Sequence, residues 1–564
     1  MCGIWFHLGE ECANSELWLS TLVPRGPEGT RILRIPERKA TFGFTRLAIM
    51  GLTDAGMQPM ERAEYAWICN GEIYNWKSLA DQYGIKLKTG SDCEVIGPLF
   101  RKMKKMGLGP DAFFRALDGV FAIVILNKET GEVVIGRDPY GVRPLYKGTM
   151  KDGDSVVYAS ELKAMAPGLT TTVEPFEPGT YEVLHTGSYR FQRQTHARYH
   201  SIPMGLAIPM AQEDAMRTIR LALTRAVQKR MMTGRPVAAL LSGGLDSSLI
   251  AALVQQELTL RSQPPLKTFS IGMAGSTDLV HARLVADHIG SDHTDIILTA
   301  DEFFEAVPAV IHDIESFDTT TVRASVGNWL VAKAIRAHTD CKVVFNGDGS
   351  DEVWGSYLYF TKAPSDHAYE EEVTRLLREI HLYDVLRSDR TVSSHGLEPR
   401  TPFLDKAFVA AARAVDTAWR RPGVNGQCEK WLMREAFKGT GLLPDVVLWR
   451  TKEAFSDGVS SMEKSWYEIC QEKAAARVPA DWAVRAVRQY GAHLTPKTAE
   501  QYYYRSVFES FYGGGAIAAV NVPAFWMPRW IEGVADPSAR TLGAIYSAAA
   551  AAAAPSSSEE AITS

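Results

Sequence analysis

Two short stretches of the chain carry residue types that could do covalent chemistry, and they lie far apart in sequence. The first is Cys2. Removal of Met1 would leave a cysteine whose thiol and free α-amino group belong to one residue. An α-amino group titrates near about 8, so it can take the thiol proton around neutrality, and the thiolate is a strong nucleophile toward a carboxamide. The second stretch is Leu241-Ser242-Gly243-Gly244-Leu245-Asp246-Ser247-Ser248, which follows an apolar run at 237–241 and precedes an apolar helical run beginning near Leu249. Strand, glycine loop and helix in that order aim backbone N–H groups and a positive helix end at one spot. That arrangement suits a pyrophosphate, with serine hydroxyls as further donors and Asp246 placed to hold magnesium. The sequence contains no GxxxxGK[ST], so a Walker-type kinase or motor is not supported.

Cys2 has company. Met-Cys-Gly-Ile-Trp opens the chain, and Arg25-Gly26-Pro27, Arg46-Leu47-Ala48-Ile49, Asn70-Gly71-Glu72-Ile73-Tyr74-Asn75 and Ser91-Asp92 come after it. Together these resemble the class II glutamine amidotransferase domain, an N-terminal-nucleophile (Ntn) hydrolase αββα sandwich of two sheets between helix layers. The resemblance implies that Arg46 holds the substrate carboxylate and Asp92 its α-amino group. The physics agrees, since an amino acid presents two opposite charges and only fixed partners of opposite sign orient both. Leu47, Ala48, Ile49, Met50 and Glu72 belong to the same implied glutamine-binding set. Asn70 and Gly71 would supply an oxyanion hole from an amide side chain and an unhindered backbone N–H, and one such donor is typically worth ~3 kcal/mol. Arg137-Asp138-Pro139-Tyr140-Gly141-Val142-Arg143-Pro144 also matches, as architecture.

The serine-glycine loop likewise looks like that of pyrophosphate-loop ATPases that adenylate a substrate. Thr268-Phe269-Ser270-Ile271-Gly272, Thr320-Thr321-Val322-Arg323-Ala324-Ser325, Gly349-Ser350-Asp351-Glu352, Pro402-Phe403-Leu404-Asp405 and Lys452-Glu453-Ala454-Phe455-Ser456-Asp457-Gly458 extend the match. From Met1 to about Leu542 the chain resembles the glutamine-hydrolysing asparagine synthetases. The resemblance implies a role for each matched residue. Leu241 and Ile271 would contact ATP through backbone, Ser242 and Lys452 the pyrophosphate, and Gly243, Gly244, Ser247, Asn346 and Gly347 would complete the nucleotide set. Asp246 and Asp351 would bind Mg2+, and Thr321 and Arg323 would surround an aspartyl intermediate. Aspartate would attack the α-phosphate of ATP, and ammonia from glutamine would then displace AMP. Ammonia must cross between the sites without becoming ammonium, which favours an enclosed, largely apolar passage. A homodimer is expected on the same resemblance.

One departure bears on the chemistry. The family's Ser-Gly-Glu-Gly-Ser-Asp-Glu stands here as Asn346-Gly347-Asp348-Gly349-Ser350-Asp351-Glu352, so a catalytic glutamate has become Asp348. One methylene fewer retracts the carboxylate by about 1.5 Å, and misplacement of that order can lower a rate on the order of a hundredfold. The side chain of Asn346 is expected to crowd the nucleotide. Glu28, where aspartate is usual, and Pro399 are lesser departures. Two alternatives stay open at this point: a degenerate member with only glutaminase or ligand-sensing function, and another adenylating ligase such as the β-lactam synthetases.

These residues need a scaffold of more than one domain, since 564 residues exceed what one core usually organises. The apolar fraction of 46% and charged fraction of 23% are those of a globular protein. A formal charge of -5 without a dense basic block disfavours nucleic-acid binding. Seven scattered cysteines without a CxxC argue against a disulfide framework or zinc site and suit a reducing cytoplasm. Glu10, Glu11 and Glu16 sit where a signal peptide needs basic and apolar residues, and no run approaches the ~20 apolar residues of a membrane span. Short apolar runs at 66–69, 120–126 and 133–136 predict a strand-rich first part. Runs at 237–241, 267–271, 294–298 and 343–345 alternate with helical stretches and predict a parallel sheet flanked by helices, an α/β fold like the adenine-nucleotide α-hydrolases. The expected division is a glutaminase domain at 1–200, a linker at 201–212, a synthetase domain at 213–545 and a disordered Ala/Ser-rich tail at 546–564.

Overall fold

The computed structural model describes residues 1–531 and 536, apart from 11, 13, 166–169, 187–190, 206, 453–457, 462 and 463. The expected tail, and residues 453–457 of the Lys452 motif, therefore lie outside the described residues.

Period-two alternation builds the layers of the first part. Along Gly119–Asn127, Phe121, Ile123 and Ile125 join Phe100, Phe113 and Phe114 of the helices Ile96–Lys105 and Pro110–Ala116. The alternate residues Ala122, Val124 and Leu126 join Ile4, Phe6 and Phe42 of a second sheet. A strand buried on both faces reads as an unbroken apolar run, which is why the sequence reveals it. All three expected runs fall within strands: Tyr65–Ile73, Gly119–Asn127 and Glu132–Arg137. One antiparallel sheet runs Thr170–Pro175, Tyr146–Met150, Val156–Ala159, Gly3–Leu8, Ala40–Thr45, Thr30–Ile35. The other runs Phe191–Arg198, Thr180–Thr186, Glu132–Arg137, Gly119–Asn127, Tyr65–Ile73, Met60–Arg62. The outer face of the first sheet places Trp5 and Val157 in one cluster with Leu19 and Leu22, and with Phe317 and Leu386 of the second part. The sandwich thus borrows much of that outer layer from the rest of the chain.

Residues 201–205 and 207–211 contain no helix or strand, and the helix Gln212–Arg230 comes next. Beyond it lies a five-stranded parallel sheet in the order Asp292–Ile297, Lys267–Gly272, Val237–Leu240, Val343–Phe345, Glu398–Arg400. The chain moves outward from the central strand in one direction and then returns to its other side. Ligands of such sheets bind beyond the strand C-termini where the order reverses, here between Val237–Leu240 and Val343–Phe345. The edge strand Glu398–Arg400 has no counterpart among the sequence expectations. It is three residues long and contains Pro399, which an edge strand tolerates because a proline N donates nothing to the ladder.

The two parts meet through a shared core, with Leu47, Ile49, Val120 and Val142 in one cluster with Ile219, Leu223 and Leu249. Buried charges also cross the seam. Arg25 pairs with Asp389 at 2.8 Å, Arg390 with Glu161 at 3.4 Å, and Lys163 with Glu315 at 3.5 Å. Breaking one such buried pair typically costs about 3–5 kcal/mol. All seven cysteines are free thiols. Among the described residues no helix is long and apolar enough to cross a membrane.

Candidate active sites

Cys2 sits at the start of the strand Gly3–Leu8, which pairs with Ala40–Thr45, so the chain just after that partner runs past the thiol. Leu47 brackets the sulfur, its N–H lying 3.5 Å from Cys2 Sγ and its carbonyl oxygen 3.6 Å away. Gly3 makes this packing possible, because a Cβ there would lie 2.5 Å from Thr45 Oγ1 and 2.7 Å from Leu22 Cβ. Arg25 Nε donates to the Cys2 carbonyl at 3.0 Å. With Met1 present, its ammonium is buried and donates to Leu397 O at 2.8 Å. Burial lowers that amine to about 5 and pushes the Cys2 thiol up to about 11. A thiol so raised is a poor nucleophile at neutral pH, and releasing the amine of Cys2 itself requires loss of Met1.

Of the expected partners, Arg46 directly precedes Leu47 in the chain, and the Glu72 carboxylate lies near enough to add to the upward push on the Cys2 thiol. Asn70 lies in the strand Tyr65–Ile73, fully buried, and neither its Nδ2 nor its Oδ1 has a hydrogen-bond partner. A buried amide left unpaired is unfavourable and calls for a ligand that completes it. Gly71 comes next, where a Cβ would collide with Val120 O at 2.1 Å, so only glycine fits. Arg46 donates to Thr53 O at 2.9 Å and to Gly51 O, folding the turn beyond it around its guanidinium. Leu47, Ala48 and Ile49 are buried, and Met50 is half-buried. Glu72 is buried 3.7 Å from Arg400, and burial, with Asp92 and Glu398 nearby, raises its pKa well above the ordinary value.

Asp92 accepts a hydrogen bond from Ile73 N at 2.7 Å, yet burial raises its pKa to about 6. Its carboxylate is therefore largely ionised at neutral pH and neutral well below it. As pH falls from about 7.5 to about 5.5 this anion is titrated away, and if it holds the substrate ammonium as the resemblance implies, KM for glutamine should rise several-fold. Glutamate release measured across that range checks this; in Asp92→Asn the KM is expected to be raised and its pH dependence flattened.

The second cleft opens where the parallel sheet reverses. Leu241, Ser242, Gly244, Asp246, Ser247 and Ile271 line one wall, and Asn346, Gly347, Asp348, Asp351 and Lys452 line the other. Leu241 N donates to Phe269 O at 2.8 Å, and the Ser242 and Ser247 hydroxyls lie 3.0 Å apart at the start of the helix Leu245–Leu260. Gly243 has φ 71°, and a Cβ there would lie 2.5 Å from Ala282 N, so it shapes the loop from behind. Asn346 turns its amide onto Ser388 Oγ at 2.7 Å, so this side chain is anchored to the helix Asp384–Ser393.

Asp246 and Asp351 are held together by a residue that sequence reasoning did not find. Lys430 Nζ lies 2.5 Å from Asp246 and 2.6 Å from Asp351, and Lys452 Nζ lies 2.6 Å from Asp351. Burial is the largest influence on Asp351 and would raise it, but the two ammonium groups together hold it far below the ordinary carboxylate range. Lys430 has φ 57°, a left-handed backbone uncommon outside glycine and concentrated at functional positions. That conformation leaves no mark on the sequence. Asp348 Oδ1 accepts from Arg387 Nη2 at 2.9 Å, Arg387 also pairs with Asp384, and Asp348 Oδ2 is buried with Ser388 nearby and no close hydrogen bond of its own. Burial raises the Asp348 carboxyl, opposed by the Arg387 charge.

Thr321 and Arg323 are not among the described residues lining the cleft. Thr321 bonds Asp318 at the start of the helix Thr319–His338, and Arg323 is buried between Glu500 and Asp536, its Nε 2.7 Å from Glu500 Oε1. Asn328 and Val331 of the same helix line the cleft instead.

Between the two sites runs one buried segment. Leu397 O receives the Met1 ammonium, and three residues later Arg400 O receives Asn346 N at 3.1 Å. Leu397, Glu398 and Arg400 are all buried.

Comparison with known proteins agrees with this pairing of sites. A family model described as Glutamine amidotransferase domain matches residues 1–220, and one described as Asparagine synthase matches 218–379 and 361–521. The chain is 43% identical over 576 residues to the asparagine synthetase [glutamine-hydrolyzing] of Pongo abelii, covering 97% of this chain and all of that protein. It is 42% identical over 578 residues to the protein of that name from Homo sapiens and 43% over 575 to that from Bos taurus, with the same coverage. A solved glutamine phosphoribosylpyrophosphate amidotransferase from B. subtilis aligns over 53% of this chain and 91% of its own, at 18% identity and a TM-score of 0.32, too distant to bear on the sites. With both family models matched in order and near-complete alignment at this identity, the chain belongs to the glutamine-hydrolysing asparagine synthetase family.

Proposed function

We propose that this chain makes asparagine from aspartate, ATP and glutamine through two sites with separate chemistry. Cys2, freed of Met1, attacks the glutamine carboxamide. Arg46 and Asp92 orient the substrate's two charges, and Asn70 and the Gly71 N–H receive the developing oxyanion. In the second cleft the loop from Ser242 to Ser247 cradles the nucleotide phosphates, and Lys452 and Lys430 lie beside them. Aspartate's side-chain carboxylate displaces pyrophosphate to form β-aspartyl-AMP, and ammonia then expels AMP.

Magnesium suits this cleft. The ion commonly uses one or two carboxylates together with substrate phosphates and water, and Asp246 and Asp351 present such a pair around a position that already favours positive charge. Bound there, it would neutralise phosphate charge; the chain's own residues do the positioning.

The observation that carries the reading is the single buried segment from Leu397 to Arg400, which receives the ammonium of Met1 beside Cys2 at one end and Asn346 of the nucleotide cleft at the other. A water-poor path alongside it would keep ammonia from being protonated on the way. The family resemblance further supports a cytoplasmic homodimer, with the glutaminase domain at 1–200, a linker at 201–212 and the synthetase domain at 213–545.

Pyrophosphate release across a panel of amino acids, with ATP and glutamine, tests the reading. Release should depend on aspartate, with AMP and asparagine formed in equal amounts. Glutaminase activity without aspartate-dependent release would favour a degenerate, ligand-sensing member.

A further inference from the structure

The loop that brackets Cys2 is held from the other domain. Ala48, next to Leu47, donates its N–H to Glu28 Oε2 at 2.7 Å and receives Arg235 Nε on its carbonyl at 2.8 Å. Arg235 Nη2 closes the ring, 3.2 Å from Glu28 Oε1. One residue further on, Ile49 O accepts from Gly234 N at 3.0 Å, and a Cβ on Gly234 would lie 3.3 Å from that oxygen. The backbone of residues 48 and 49 is thus bonded by residues 234 and 235, which lead within two residues into the strand Val237–Leu240 carrying the phosphate loop.

We propose that Arg235 is a positioning residue for glutamine hydrolysis supplied by the synthetase domain. It fixes Ala48, and through it the Leu47 backbone at the thiol, with Glu28 as its counterpart. This rests on reading residues 46–50 as the glutamine-binding loop. A guanidinium can donate from Nε to a carbonyl and from Nη2 to a carboxylate in one plane, which an ammonium cannot reproduce. The glutamate at position 28 matters for the same reason, because its carboxylate spans from the Ala48 N–H to Arg235. A loop held on both its N–H and its C=O is pre-organised before substrate arrives.

The full-length enzyme with Arg235→Ala should show a glutamine KM raised on the order of tenfold in glutamate release, with ammonia-dependent pyrophosphate release within about twofold of the parent. Arg235→Lys should fall between. Glu28→Ala with Arg235→Ala should be no worse than the more affected single variant, because the two act as one clamp. An unchanged glutamine KM in Arg235→Ala would overturn the proposal, as would equal loss of both activities, which would make Arg235 a general structural residue. Arg46→Ala separates this from the reading beneath it. If Arg46→Ala raises the glutamine KM and Arg235→Ala does not, the clamp alone fails; if neither does, residues 46–50 are not the glutamine loop.

Discussion

Cys2→Ala should abolish glutamine-dependent asparagine formation, by on the order of a thousandfold or more, while ammonia-dependent formation stays within about twofold of the parent. The expectation comes from the separation of the two chemistries. The thiol is bracketed by the Leu47 backbone, and alanine leaves that frame in place while removing the only sulfur the reaction uses. The nucleotide cleft draws its residues from 240–271, 278, 328–351, 384–387 and 429–452 and takes none from the thiol pocket. Asparagine measured with glutamine and with ammonium salts as alternative nitrogen sources decides the matter. Parallel loss of both would show that the sites are not independent.

Replacing Asp348 should have the opposite selectivity. Asp348→Ala is expected to lower asparagine formation from either nitrogen source on the order of a hundredfold, and to leave glutamine hydrolysis measured without aspartate near the parent rate. Arg387 holds one carboxylate oxygen at 2.9 Å, and the other is buried in the cleft wall with Ser388 nearby and no close hydrogen bond of its own. A buried acceptor so placed is completed by a donor arriving with substrate. Asp348→Glu tests the missing methylene directly. It should preserve or raise turnover, because the longer side chain carries the carboxylate about 1.5 Å toward the reacting groups. A fall as large as that of Asp348→Ala would instead mean that Arg387 and its surroundings are shaped around the shorter acid.

The parts of this enzyme legible in sequence are those whose residues lie close together along the chain. Cys2, Asn70-Gly71 and the run from Leu241 to Ser248 each sit in a short motif, and the strands at 120–126 and 237–241 announce themselves as apolar runs bounded by turns. The residues that escaped are brought in from a distance. Lys430 reaches Asp246 across 184 positions and Arg235 reaches Glu28 across 207; a lone lysine or arginine is indistinguishable beforehand from a solvated one. Glu398–Arg400 is too short to show periodicity, and its proline is tolerated because the sheet places it at an edge. Nor does the sequence show that the Asn346 side chain is tied to Ser388, a partner supplied by a helix some forty residues on.

The ion pairs joining Arg25 to Asp389, Glu161 to Arg390 and Lys163 to Glu315 bear on how the polypeptide can be divided. A fragment ending near residue 200 would bring this charged cluster, stripped of its partners across the seam, and a broad greasy face to its exterior, and should precipitate when expressed alone. Recombining either half with a foreign partner would demand a matching set of counter-charges, so neither catalytic unit is a freely exchangeable part.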